Sequence, residues 1–172
     1  PVGRKGLNEP TPTKQIALKY NIPVFQPHKI RLDYEFMKEL KPDLIVTCAY
    51  GQILPQGLLD IPTLGSINVH GSLLPKYRGA SPIQQALING DKKSGVTIIE
   101  MIDKMDAGDM LDKEEFDLNI DDNYTSTCEK MAKSGLKALL KVIPEIEKHQ
   151  EIRIPQDEDK ATFCKKITKD EE

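Results

Sequence analysis

The chain has 172 residues, of which 38% are hydrophobic, 30% are charged and 5% are aromatic, and this composition shows no disordered or fibrous bias. No stretch of the sequence approaches the ~18 consecutive apolar residues of a membrane span. The length predicts a single domain with a buried core. The formal net charge of −3 excludes a surface that is basic throughout, so any contact with nucleic acid would have to be local.

Short apolar segments alternate with segments of helical periodicity from the start of the chain. We predict a helix that begins near Thr11 and turns Ile16, Ala17 and Tyr20 towards the core. A short strand is expected at residues 23–25.

A second helix and a buried strand are predicted next. Asp33 is the expected N-cap of a helix that runs to about Leu40, where Pro42 ends it. Residues 43–50 are apolar enough for a buried strand, so Cys48 is expected to be a small core residue.

The centre of the chain contains a strand that ends in polar residues. A helical turn after Pro55 is predicted to bury Leu58 and Leu59. The strand at residues 66–70 finishes on polar side chains where a core strand should stay apolar, and a loop rich in Gly and Pro follows at residues 71–79.

The second half of the chain is predicted to contain a helix, two strands and a long amphipathic helix with a kink near Pro144. Their ranges are 81–89, 95–102, 109–118 and 121–149, with a polar loop at 103–108. The core-facing residues of the long helix are expected to be Met131, Leu136, Leu139, Leu140 and Ile143. This alternation predicts an α/β fold with an open, mostly parallel sheet and helices on both faces.

Cysteine usage favours a reducing compartment. Cys48, Cys128 and Cys164 are odd in number and widely spaced, so they predict neither a disulfide framework nor a metal site. We therefore expect a cytoplasmic protein.

Asn68 and His70 are the first candidates for chemistry. They lie two residues apart, so their side chains share one face of the strand at the point where it enters a loop. Ligands of open α/β sheets bind outside the carboxyl ends of strands. An amide that stabilises an oxyanion beside an imidazole that moves a proton suits acyl transfer. The spacing alone fits equally well a turn asparagine beside a structural histidine.

A carboxylate from the second polar loop is expected to orient His70. Asp106 follows His70 by 36 residues, after the next predicted strand, so the two loops should lie side by side. Such a carboxylate holds the imidazole in position in other acyl-transfer sites. Asp103 and Asp109 occupy the same stretch, and the spacing does not choose among the three aspartates.

The motifs around these residues carry a family resemblance. They are NVHGSLLPKYRG from Asn68, ASPIQ from Ala80, Gly90-Asp91, Gly95-Val-Thr97 and MDAGDM from Met105. With them the chain resembles the methionyl-tRNA formyltransferase family over essentially its whole length. The resemblance implies a Rossmann-like formyltransferase fold, and it assigns catalysis to Asn68, His70 and Asp106 without a metal.

The resemblance also implies a co-substrate, 10-formyltetrahydrofolate, held by the loop of Ser72, Leu73, Leu74 and Pro75. A loop stiffened by Pro75 and lined by the two leucines would offer an apolar wall to a flat pterin, with polar contacts from Ser72. The implied partner is initiator methionyl-tRNA, whose phosphates Arg4 and Lys5 would contact, although basic residues at a chain end are often only solvated. A monomer without membrane contact is expected.

Two parts of the family pattern do not appear in the sequence. The family's first strand, helix and second strand would precede Pro1, and its C-terminal β-barrel domain would follow Glu172. We therefore expect a shortened chain, with the catalytic domain at residues 1–155 and a polar linker towards the absent domain at residues 156–172.

Other activities share the same motifs. Sister formyltransferases act on glycinamide ribonucleotide or on a nucleotide-linked amino sugar, and a related hydrolase removes formyl from the same folate. Gly71, residues 80–84 and residues 22–27 favour the tRNA enzyme. A binding module without catalysis is a further alternative.

Overall fold

The computed structural model describes residues 10–168, so Arg4 and Lys5 lie outside the described residues. Its helices are α1 (Pro12–Lys19), α2 (Glu35–Leu40), α3 (Gln56–Leu59), α4 (Pro82–Ile88) and α5 (Tyr124–Glu147), with a 3₁₀ turn at Glu158–Lys160. Its strands are β1 (Ile45–Cys48), β2 (Ser66–His70), β3 (Arg78–Gly79), β4 (Lys93–Glu100), β5 (Met110–Asp117) and β6 (Phe163–Cys164). None of the helices in this part of the chain has the length and apolar character of a membrane span.

The main sheet has the strand order β1-β2-β4-β5. β1 runs parallel to β2, whereas β4 is antiparallel to both β2 and β5. Three of the four strands described in this sheet therefore point in one direction, with β4 reversed between them. The predicted α/β class is confirmed, and the short strands β3 and β6 form a separate parallel pair.

The two faces of the sheet pack against different helices. Ile67 of β2 and Val96 and Ile98 of β4 pack in one core cluster with α5. Because side chains alternate along a strand, Asn68 and His70 lie on the opposite face. Helices α2 and α3 also pack on that opposite face, around Ile45, which pairs with Ser66 in the sheet.

The long helix α5 faces the sheet with a stripe that agrees only in part with the prediction: Met131 is buried as expected, and Leu139 and Ile143 are half-buried. Leu136 and Leu140 are 59% and 67% exposed, so their predicted burial is wrong. The buried stripe consists of Thr127, Met131, Gly135, Ala138, Val142 and Ile146. Small residues form its centre because the helix lies close to the sheet: a Cβ on Gly135 would be 3.1 Å from Cγ1 of Val69.

The beginning of the chain folds locally as predicted but packs differently. α1 forms behind its N-cap Thr11, yet Ile16 and Tyr20 are 54% and 64% exposed, so the expected core contact is wrong. Residues 23–25 form no strand, because the described part of the chain offers them no strand with which to pair.

Three further details around β1 differ from the sequence expectation. The N-cap of α2 is Tyr34 and not Asp33, and its side chain makes no capping hydrogen bond. β1 is an edge strand among the described residues and covers only four positions. Cys48 is consequently exposed and not a core residue.

Candidate active site

The structure brings His70 and Asp106 together. His70 is the last residue of β2, and its Nδ1 lies 3.6 Å from Oδ1 of Asp106. Both side chains are largely buried, at 6% and 15% exposure. Asn68 lies two residues earlier on the same face of β2 and is partly exposed. An amide, an imidazole and a carboxylate thus occupy one region at the end of this strand.

The imidazole is fixed by a backbone carbonyl. Nε2 of His70 lies 2.9 Å from the carbonyl oxygen of Tyr77, which can only accept, so Nε2 carries the hydrogen of this bond. The ring therefore turns Nδ1 towards Asp106. At 3.6 Å the two groups make no direct hydrogen bond, so Nδ1 stays available to a reacting group, and the carboxylate lies where it would stabilise a protonated ring.

The loop that carries Asp106 does not start at the end of β4 nearest His70, as had been predicted. Because β4 is antiparallel to β2, its last residue Glu100 pairs with Ile67, at the far end of β2 from His70. The loop at residues 101–109 must therefore run back along the sheet. The backbone amide of Gly79 donates to Oδ2 of Asp106 at 2.9 Å, which turns Oδ1 towards the imidazole.

The other two aspartates of this loop are placed differently. Asp103 is exposed. The backbone carbonyl of Asp109 accepts a hydrogen bond from the amide of Glu100, as part of the connection between β4 and β5. Asp106 is the aspartate of the three whose carboxylate lies beside His70, and this geometry favours it as the orienting residue.

The Asn68 amide is oriented by a residue that sequence reasoning missed. The hydroxyl of Thr47 on β1 donates to Oδ1 of Asn68 at 2.8 Å, across the parallel pair that aligns the two residues. The NH₂ group of Asn68 then points away from this bond and can donate to a ligand. The alternation of β1 could have suggested Thr47, since it is the polar residue inside an apolar strand.

The loop predicted to hold folate is anchored by Thr97. This side chain is fully buried, and its hydroxyl donates to the carbonyl of Ser72 at 2.7 Å and accepts from the amide of Leu74 at 3.0 Å. The Ser72 hydroxyl in turn donates to the carbonyl of Lys76. Thr97 thus shapes the loop from beneath, at the position of β4 that pairs with His70.

The four loop residues differ in what they offer to a ligand. Leu74 is 1% exposed and packs against Ile99 and Met110, and Ser72 is equally buried. Leu73 and Pro75 keep partly exposed side chains. The loop therefore presents its backbone, Leu73 and Pro75 at the surface, whereas Ser72 and Leu74 are directed inward.

A fully buried arginine lies behind the same loop. The Arg78 guanidinium donates to both carboxylate oxygens of Glu158, at 3.2 and 2.9 Å, and its Nε donates to Oε1 of Gln156 at 3.0 Å. The guanidinium's bonds to Glu158, followed by one from Lys104, lower the pKa of the Glu158 carboxyl to about 2. The polar segment that starts at residue 156 therefore packs on the site, and β6 within it pairs with β3.

A cavity of about 560 Å³ lies at the opposite end of β2. Its walls include Ser66, Glu100 and Arg153, but neither Asn68 nor His70. Within residues 10–168, no group of three or more His, Cys, Asp or Glu side chains could hold a metal ion.

Comparison with known proteins identifies relatives in one family. The formyl transferase family model matches residues 1–143. Methionyl-tRNA formyltransferase of Mesoplasma florum is 49% identical over 172 residues, which are 100% of this chain and 55% of that protein. The chain thus spans about half the length of the curated relatives it matches.

Solved structures share the fold. Methionyl-tRNA formyltransferase from Clostridium thermocellum aligns with a TM-score of 0.65 and 21% identity, over 90% of this chain and 66% of that chain. HypX from Aquifex aeolicus in complex with tetrahydrofolic acid aligns with a TM-score of 0.72 and 21% identity, over 79% of this chain and 23% of that chain. At such identities the likeness establishes the fold alone.

Proposed function

The chain belongs to the formyl transferase family, and from this membership we propose that it transfers a formyl group from 10-formyltetrahydrofolate to the amino group of initiator methionyl-tRNA. The observation that carries the proposal is the approach of Asp106 to His70 within 3.6 Å, with Asn68 on the same face of the strand. The name of the Mesoplasma florum relative, at 49% identity, supports methionyl-tRNA as the acceptor.

Each of the three side chains has a distinct role in the proposed reaction. The amine of methionyl-tRNA attacks the formyl carbon, and negative charge develops on the formyl oxygen. The NH₂ group of Asn68 stabilises that oxyanion. Nδ1 of His70 accepts the proton from the attacking amine and passes it to the departing folate nitrogen. Asp106 stabilises the imidazolium that forms between these two steps.

The folate is proposed to lie against the loop of Ser72, Leu73, Leu74 and Pro75. The exposed parts of Leu73 and Pro75 would contact the pterin, and backbone groups would supply the polar contacts. A folate ligand is supported by HypX, whose structure was solved with tetrahydrofolic acid. Ser72 and Leu74 would act by holding the loop in shape, because both are buried.

The tRNA is proposed to contact Arg4 and Lys5, outside the described residues. Three of the four lysines of α5 are a poor alternative, since acidic neighbours already pair with them. Lys130 pairs with Asp122, Lys137 with Glu114 and Lys141 with Asp112. A cytoplasmic location and a monomeric state stay predictions.

A single-turnover assay tests the proposal. The chain is incubated with formyl-labelled 10-formyltetrahydrofolate and either methionyl-tRNA, glycinamide ribonucleotide, a nucleotide-linked amino sugar or no acceptor. We expect labelled formylmethionyl-tRNA in the first reaction only. Label on another acceptor would assign a different substrate, and formate release without an acceptor would indicate a hydrolase. Folate binding with no product in any reaction would indicate a binding module.

A further inference from the structure

Gln156 lies between the two loops that form the site, and its amide group is fully used. Its Nε2 donates to the backbone carbonyls of Asp106 and Gly108, both at 2.8 Å. Its Oε1 accepts from Nε of Arg78 at 3.0 Å. An amide nitrogen has two hydrogens to donate, so both donors and the acceptor are engaged.

The two carbonyl bonds hold a tight turn. Asp106 has a φ of 51°, in the left-handed region that few residue types other than glycine, asparagine and aspartate adopt. Gly108 fits too closely for any side chain, since a Cβ there would be 1.9 Å from the carbonyl oxygen of Glu100. Hydrogen bonds from Gln156 to both carbonyls stabilise this conformation, and with it the direction of the Asp106 carboxylate.

The third bond connects Gln156 to the other loop. Arg78 stands between Tyr77, whose carbonyl contacts the imidazole of His70, and Gly79, whose amide donates to Asp106. Its guanidinium is completely buried, so it cannot find solvent partners if Gln156 or Glu158 is lost. The side chain of Gln156 thus bonds both to Arg78, beside the backbone that contacts the imidazole, and to the backbone of the loop that carries the carboxylate.

We propose that Gln156 is a positioning residue that holds the carboxylate of Asp106 against His70. The expected effect on kcat rests on the proposed formyl transfer, whereas the placement of Asp106 beside His70 can be measured without substrate. It gives residues 156–164 a role in the site itself, because β6 and Gln156 attach this segment to β3 and to the loop of Asp106.

Two substitutions remove different sets of the Gln156 hydrogen bonds. Gln156→Glu keeps an acceptor for Arg78 but loses both hydrogens donated to the carbonyls, and Gln156→Leu loses all three bonds. The matched control is Gln150→Glu, which makes the same change at an exposed glutamine of the preceding segment. We expect both Gln156 variants to lower kcat tenfold or more, with the KM for formyl-folate within twofold of wild type, since small displacements of catalytic groups have large effects. The control should keep the wild-type kcat.

A second measurement does not depend on activity. The ring signals of His70 in heteronuclear NMR of the ligand-free chain, assigned with a His70→Asn variant, report the distance of the Asp106 carboxylate. They should shift in Gln156→Glu and stay unchanged in Gln150→Glu. Wild-type kcat in Gln156→Glu, or unchanged His70 signals in that variant, would overturn the proposal. If the wild-type chain transfers no formyl group, the proposed function fails, and the NMR comparison still decides the role of Gln156. Should Gln156→Leu fail to fold, Gln156→Glu alone decides.

Discussion

The carbonyl oxygen of Tyr77 lies 2.9 Å from Nε2 of His70 and leaves Nδ1 as the ring nitrogen that faces Asp106. Tyr77 holds this carbonyl in place with a left-handed φ of 62°. Its amide donates to the hydroxyl of Thr162, and its own hydroxyl donates to Asp91, both at 2.8 Å. The backbone of a neighbouring loop thus leaves Nδ1 as the nitrogen that would accept the proton in the proposed reaction.

Replacing His70 should abolish most of the activity. We expect His70→Ala to lower the rate of formyl transfer by about 10²- to 10⁴-fold, the usual contribution of a general acid–base group. Folate affinity, measured by calorimetry, should change little because Nδ1 acts on the proton and not on the pterin. His149→Ala is the control, since that histidine is exposed and lines the distant cavity. Comparable product from His70→Ala and wild type would contradict the mechanism.

Thr47→Val should reduce the rate less severely. The substitution keeps the shape but removes the hydroxyl that donates to Oδ1 of Asn68. A freely rotating amide presents its NH₂ group to the oxyanion only part of the time. We expect kcat to fall by up to about tenfold, below the 10²- to 10³-fold expected when an oxyanion donor is lost outright, as in Asn68→Ala. Thr47→Ser should keep near wild-type kcat; if it behaves like Thr47→Val, the hydroxyl is not what matters.

Thr97→Val should affect both stability and folate binding. Without its hydroxyl, the carbonyl of Ser72 and the amide of Leu74 stay buried and lose a partner. We expect the free energy of unfolding to fall by about 1–3 kcal/mol, as measured by chemical denaturation. Formyl-folate should also bind more weakly, because the loop loses its anchor. If Thr97→Val binds formyl-folate like wild type, the Thr97 hydroxyl is not needed for folate binding. Thr97→Ser, which keeps the hydroxyl, should have near wild-type stability and folate affinity.

Acid should destabilise the fold through Glu158. Hydrogen bonds from Arg78, and then from Lys104, lower the pKa of this carboxyl from 4.5 to about 2. A lowered pKa means that the stabilisation is complete above the unfolded value of 4.5 and is lost as the pH falls towards 2. Denaturation of wild type and Glu158→Gln from about pH 6 down to about pH 3 should show a difference in unfolding free energy that shrinks with falling pH. If the difference in unfolding free energy stayed constant over this pH range, the pKa of Glu158 would be the same in the folded and unfolded states, and the prediction would be wrong.

Local signals in the sequence predicted some of the elements. Pro82 after Ser81 and Gly90 after Asn89 predicted α4, and the polar residues at the end of β2 predicted where His70 and Asn68 lie together. Leu136 and Leu140 of α5 were wrongly predicted to be buried because their size suggested the core side, whereas close approach to the sheet required Gly135 and Ala138 there. Hydrophobicity alone does not reveal how near two elements lie.

Long-range polar contacts were beyond the reach of pattern reasoning. Residues 156–158 have the composition of a linker, and only the fold shows that Arg78 is buried beneath them. Asp106 was expected near His70 because the carboxyl ends of neighbouring parallel strands lie side by side. In the structure β4 runs antiparallel to β2, and Asp106 lies near His70 because the loop after β4 turns back along the sheet. The family resemblance pointed to Asp106, which lies 3.6 Å from His70, whereas spacing could not choose it; its catalytic role stays a prediction.

The burial of Arg78 has a consequence for how this protein can change over evolutionary time. A lysine there would satisfy a single acceptor and leave the forked carboxylate of Glu158 and the amide of Gln156 mismatched. Substitutions at residues 78, 156 and 158 should therefore be tolerated mainly in combination. In a randomised library selected for formyl transfer, these three positions should covary despite their separation along the chain.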